Sequence, residues 1–228
     1  MPAAATIAID GPAGAGKTVV GQGVARALDY LFLDTGAMYR ALTYLALERN
    51  VALSDEPALV ALSRQAAIDV LPDGPADGRP YTVVAAGEDV TWQIRNADVS
   101  NTVSIVSAWP AVRREMVQAQ VRLAGRGRCV LAGRDIGTVV LPHADLKIFL
   151  IASLDERVRR RAQELRRRGE AVNEEALRAA MAIRDDLDSG RAASPLKPAA
   201  DAHLLDSTGL TVAEVVAAIV ALAREGTT

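Results

Sequence analysis

In the segment GPAGAGKT, residues 11 to 18, Gly11, Gly16, Lys17 and Thr18 are spaced to hold a polyphosphate. They fit GxxxxGK[ST], whose glycines let the backbone curl so that successive amides point inward at phosphate oxygens. A helix N-terminus behind such a loop adds partial positive charge, the lysine reaches the outer phosphates, and the threonine hydroxyl suits magnesium. The whole loop, Gly11, Pro12, Ala13, Gly14, Ala15, Gly16, Lys17 and Thr18, is expected to bind a nucleoside triphosphate. Its context agrees: the apolar run TIAID (6 to 10) precedes it, and a helix-compatible stretch from about Lys17 to Leu28 follows. An ordinary glycine-rich turn is the competing interpretation, and it has no need of that strand and helix.

A triphosphate loop does not say what is done with the triphosphate. A switch GTPase would need an Asn-Lys-x-Asp segment, and none occurs. A motor or clamp ATPase would need a longer chain or partner surfaces. A small-molecule kinase needs a second anionic pocket facing the γ-phosphate, so clustered arginines are the feature to seek. LDTGAMYR (33 to 40) places Asp34 and Thr35 at the carboxyl end of a strand, where ligands bind in open α/β sheets, with Arg40 one turn into the next helix. AGRDIGTVV (132 to 140) repeats that logic: Gly133 permits close approach, and Arg134 and Asp135 project from a strand end. In IRDDLDSGR (183 to 191), Arg184, Asp188 and Arg191 share one helix face, where the arginines can fork onto phosphate oxygens while Asp188 orients them or accepts from a sugar hydroxyl. DERVRRRAQELRRRGE (155 to 170) has more arginine than its pairings Asp155–Arg159, Glu156–Arg160 and Glu164–Arg168 consume, and ends at Gly169, which suits a flap that excludes water from the polyphosphate. Each of these segments could instead be a solvated face of surface ion pairs.

These residues need a frame. Apolar runs of strand length, TIAID, YLFLD (30 to 34), CVLA (129 to 132), LKIFLI (146 to 151) and AHLLD (202 to 206), alternate with amphipathic stretches, which predicts a parallel sheet covered by helices, an α/β core. Ser153 with Glu156, Asn173 with Glu175 nearby, and Thr211 with Glu214 signal helix starts, the first and last as full capping boxes. Between Asp55 and Asn101 the texture changes, and the turn-rich PDGPADGRP (72 to 80) between IDVL and YTVVAAGEDVTW predicts a small inserted antiparallel sheet. With 228 residues and half of them hydrophobic, the chain can bury a large core. A net charge of −2 argues against a general nucleic-acid binder, so any basic patch is local. Lysine occurs three times among 26 basic residues, and the rest are arginine. The single Cys129 excludes an internal disulfide and reads as a small core residue. His143 and His203 read as structural. Neither a signal segment nor a run of about 18 apolar residues is present, so a cytoplasmic protein without membrane contact is expected.

Together, IDGPAGAGKT, LDTGAMYRALT, GRDIGTVVLPHADLKIFLIAS, RRRAQELRRRG and RDDLDSGRAASPLKPAADA resemble bacterial cytidylate kinase, from about Ile7 to Val216. The resemblance implies an adenylate-kinase-like fold, a P-loop NTPase-type parallel sheet flanked by helices, with a small inserted antiparallel sheet and a lid. It divides the chain into core (1–34), a monophosphate-binding part with the insert (35–104), core (105–154), lid (155–172) and core (173–228). Carried over position by position, it implies that Thr35, Arg40, Arg134, Arg184 and Asp188 hold the monophosphate and its sugar, beside Arg191 from the helix-face reading, and that Ser104, Arg113 and Asp135 surround a cytosine ring. Asp135 can accept from cytosine's exocyclic amine and would repel uracil's carbonyl. Arg157 and Arg161, four apart on a lid face, are expected on the donor phosphates. The chain departs from the family where Thr18 follows Lys17 directly and Val19 comes next, and where Ala132 replaces a frequent acid. Asp34 is then the expected substitute for that acid behind magnesium, with Asp10 next.

The reaction so implied moves the γ-phosphoryl of MgATP to CMP or dCMP. An ionised phosphate is already a nucleophile, so no general base is needed; Lys17, Arg134, Arg184 and Asp34 form the expected catalytic set, with Thr18 on the metal. A kinase for UMP, AMP or a small alcohol, and a nucleotide-dependent switch or ATPase, remain the alternatives. A monomer without nucleic-acid partners is expected.

Overall fold

Three apolar runs form the middle of one sheet because each is buried on both faces, and only helices on both sides can cover such strands. The structure, a computed structural model, describes residues 4–71, 74–167, 169–191 and 193–225. Strands β1 (Thr6–Asp10), β2 (Leu31–Asp34), β6 (Cys129–Gly133), β7 (Leu146–Ile151) and β8 (His203–Asp206) lie in the order β2-β6-β1-β7-β8. All four pairings are parallel. The cover is built from helices α1 (Lys17–Leu28), α2 (Thr35–Glu48), α3 (Glu56–Gln65), α4 (Ala97–Ala108), α5 (Pro110–Ala124), α6 (Leu154–Arg167), α7 (Glu174–Gly190) and α8 (Val212–Glu225). Cys129 is buried in β6, as a core residue should be, and burial pushes its thiol up to about 11.

β8 departs from the expected pattern. It pairs only with β7 and forms the sheet edge, so Leu204 is 66% exposed and His203 also faces outward. His143 is exposed on the loop before β7, so both histidines lie at the surface.

The inserted antiparallel sheet is present but shorter than the change of texture suggested. Strands β3 (Asp69–Leu71), β4 (Thr82–Ala85) and β5 (Glu88–Asp89) form it, while α3 occupies the first part of the interval and α4 begins before its end. Asp55 caps α3 by accepting from the Ala58 amide, a start signal of the same kind as the three singled out in the sequence. Pro72 and Asp73 of the connecting turn lie outside the described residues.

Of the two expected capping boxes, one is complete. Thr211 and Glu214 exchange bonds in both directions, and Asn173 caps α7 singly. Ser153 accepts from the Glu156 amide, but the Glu156 carboxylate binds Arg159 and Arg160, and the Ser153 amide turns to Thr208 instead. Two nearby guanidinium groups outcompete one backbone amide for that carboxylate. Asp155 likewise pairs with Arg178 of α7 rather than with Arg159, and Arg168 lies outside the described residues.

Candidate active site

The phosphate loop runs from the end of β1 into α1, with Lys17 as the first helical residue. Gly11 has φ +149°, and a β-carbon there would lie 2.0 Å from the carbonyl oxygen of Leu150, so the loop's tight start requires glycine. Lys17 is buried, and its Nζ donates to the Pro12 carbonyl at 2.6 Å. Burial first, and then Arg134, hold the Lys17 ammonium well below the usual lysine range.

Thr18 follows on the same turn, and its hydroxyl donates to Asp34 Oδ2 at 2.8 Å. Asp34 ends β2 and caps α2, accepting from the Gly36 amide on Oδ1. Tyr81, at the entry to β4, donates its hydroxyl to the same Oδ2 at 2.9 Å. An ionised carboxylate only accepts, so both hydroxyl protons point at Asp34 and the lone pairs of Thr18 Oγ1 are left for a cation. Among the described residues no group of three or more histidine, cysteine or acidic side chains could hold a metal by itself. The donor set therefore fits magnesium carried in on phosphate oxygens and met by Thr18, with Asp34 one step behind. Asp10 is committed elsewhere: its two oxygens accept from the Ile136 and Gly137 amides at 2.7 and 2.8 Å, and burial raises it to about 6.

The second cluster comes from α2, the end of β6 and α7. Gly133 allows the approach of β6 to α2, since a β-carbon there would sit 2.6 Å from Thr35 Oγ1 and 2.5 Å from Ile136. Thr35 is buried and donates to the Ala132 carbonyl. Arg134 Nε donates to Asp188 Oδ2 at 2.8 Å, and Arg191 pairs with the other oxygen at 3.5 Å. The two arginines flanking Asp188 are therefore Arg134 and Arg191; Arg184 was expected in that role from its helix spacing. Burial opposes the Asp188 charge, yet Arg134 and Arg191 hold it below the usual carboxylate range. Arg184 Nε is buried without a hydrogen-bond partner, and burial together with Arg134 and Arg40 lowers the group to about 10. Arg40 Nη1 donates to Ser100 Oγ at 2.9 Å, and burial lowers it too. Lys17, Arg40, Arg134 and Arg184 thus crowd like charge together, with Asp34 and Asp188 as the carboxylates that offset it.

Arg113 and Asp135 form a buried ion pair at 2.5 Å. Arg113 also donates to the Ser107 carbonyl and lies over the Tyr39 ring, so in this structure the two groups face one another. Ser104 is half-buried on α4, and its carbonyl accepts from Ser107.

The arginines of α6 are placed differently from the expected donor-facing pair. Arg157 is buried beneath the phosphate loop, bonded to Ala13 and Ala152 carbonyls and to Asp185. Arg161 pairs with Glu164. Arg160, assigned from sequence only to Glu156, makes that bond and also donates to the Ala15 carbonyl and to the Ser207 carbonyl and hydroxyl. Ser207, fully buried, donates toward the same Ala15 oxygen. Sequence reasoning missed Arg160, Ser207 and Tyr81 as site residues. Ser207 follows β8 directly, so the strand-end rule that singled out Asp34 would have found it. The contact partner of Tyr81 lies 47 residues away, with no local signal.

The sequence model of the cytidylate kinase family matches residues 7–225. A cytidylate kinase of Chloroflexus aggregans is 53% identical over 94% of this chain and 91% of its own length. One from Bacillus licheniformis is also 53% identical, over 92% of this chain and 91% of its own length. A solved structure of an uncharacterized protein from Eubacterium ventriosum ATCC 27560 aligns at TM-score 0.52 and 11% identity, covering 96% of this chain and 98% of that one, a likeness of fold alone.

Proposed function

Because the chain belongs to the cytidylate kinase family, we propose that it transfers the γ-phosphoryl group of MgATP to CMP or dCMP, giving ADP and CDP or dCDP. One observation carries the chemistry: Lys17, Arg40, Arg134 and Arg184 are brought within electrostatic reach of one another although burial disfavours the charges of Lys17, Arg40 and Arg184. Such an excess of partly desolvated cations is offset by polyanions, and two nucleotides meeting phosphate to phosphate supply them.

In this reading the loop from Gly11 to Thr18 holds the donor through its amides, with Lys17 on the outer phosphates. Arg40, Arg134, Arg184, Asp188 and Arg191 hold the acceptor phosphate and sugar, with Thr35 beside them. Ser104, Arg113 and Asp135 face the cytosine ring, where Asp135 accepts from the exocyclic amine. Magnesium, when bound, neutralises charge between the outer phosphates. Thr18 would hold it, oriented by Asp34. The bond between the γ-phosphorus and the β,γ-bridging oxygen breaks as one forms to an acceptor phosphate oxygen. No proton has to be removed from that oxygen, so the chain's work is alignment and charge neutralisation. Residues 35–104 then form the acceptor part and 155–172 the lid over the donor. In this reading the enzyme acts as a monomer in the cytoplasm; among the described residues no helix is long and apolar enough to cross a membrane.

Coupled detection of ADP release with CMP, dCMP, UMP and AMP as acceptors tests this. Acceleration by CMP and dCMP well above the other two is expected. No acceleration by any monophosphate would overturn the proposal.

A further inference from the structure

Tyr81 belongs to none of the motifs, yet it ties the insert to the phosphate loop. It lies at the entry to β4, 5% exposed, with its ring near Phe32 and under the Arg95 guanidinium. Its hydroxyl meets Asp34 Oδ2, the oxygen that also accepts from Thr18, while Oδ1 is held by the Gly36 amide. All three donors converge on one carboxylate, and each takes acceptor capacity that Asp34 would need to bind a cation directly. The neighbouring Pro80 carbonyl accepts from Gln22 of α1, a second and independent link between insert and core.

We propose that Tyr81 is a positioning residue that fixes Asp34 as the proton acceptor of Thr18, so that Thr18 presents lone pairs to the cation carried by the donor nucleotide. The inference rests on the phosphoryl-transfer reading above. It makes a residue of the inserted sheet part of the metal site of the core, through the chain Tyr81–Asp34–Thr18. By linkage, cation binding at Thr18 and seating of the Tyr81 loop favour each other.

The test is ATP binding by calorimetry, once with EDTA and once with excess magnesium. Tyr81→Phe, which keeps the ring and its packing, is expected to reduce the magnesium-dependent gain in ATP affinity about tenfold, the scale of one hydrogen bond to a charged group. Affinity in EDTA should stay within about twofold. In an Asp34→Asn background the same change should have no further effect. Gln22→Ala, which cuts the adjacent link and leaves the tyrosine hydroxyl in place, should retain the magnesium gain. Equal losses with and without magnesium, or the same loss from Gln22→Ala, would make Tyr81 a mere docking residue and overturn the proposal. Additive losses with Asp34→Asn would do the same. These readouts use donor binding only, so failure of the acceptor assignment would appear separately, as wild-type enzyme that CMP does not accelerate.

Discussion

Arg184 is the residue whose environment departs furthest from what its sequence pattern implied. Helix spacing suggested a pair with Asp188, but Arg134 and Arg191 occupy that carboxylate and leave Arg184 Nε buried and unpartnered. A guanidinium so placed is costly until an anion arrives, which is the arrangement expected of a group that acts on charge developing during transfer. Arg184→Ala should therefore lower kcat by roughly a hundredfold while ATP affinity changes by less than about threefold. Steady-state kinetics beside direct ATP binding would check this, and an equal loss in both would remove Arg184 from between the substrates. Asp34 shows the reverse balance of pattern and structure. Its place at a strand end was legible from LDTGAMYR, and its bond to Thr18 gives physical content to the expectation that it substitutes for the acid missing at Ala132. Asp10, the second choice, spends both oxygens bracing the turn at Ile136–Gly137.

At the scale of elements, the strands were legible because burial on both faces demands continuous apolar runs, and β1 and β7 have the bounds those runs predict. α3 was not anticipated within the insert, because its short amphipathic pattern lies beside strong turn chemistry. The arginine surplus of α6 suggests a flap, but charge content reveals nothing about which carbonyls a guanidinium will reach. In the structure Arg157 and Arg160 tether α6 to the phosphate loop through the Ala13 and Ala15 carbonyls. Motion of this helix would thus be transmitted to the donor cradle. Arg160→Ala should raise the KM for ATP about five- to tenfold, since the Ala15 carbonyl loses one of its donors, and should leave the KM for CMP within about twofold. A matching rise for CMP would mean that α6 supports both halves of the cleft.

Across the whole molecule, a net charge of −2 conceals a local excess of positive charge, because Lys17, Arg40, Arg134 and Arg184 come within electrostatic reach of one another while most acids lie on the outside. Composition argues against a general nucleic-acid binder but does not locate that cluster. Its position follows from topology: β1, β2 and β6 are adjacent and parallel, so the loops and helices leaving their carboxyl ends must share one edge of the sheet. The central claim is that this edge holds two nucleotides at once with their phosphates meeting. Inhibition by adenosine and cytidine joined 5′ to 5′ through a pentaphosphate measures that claim most directly. The analogue should compete with both ATP and CMP and bind at least about tenfold more tightly than ADP or CMP alone. Competition with ATP only, at an affinity no better than that of ADP, would contradict a shared cleft.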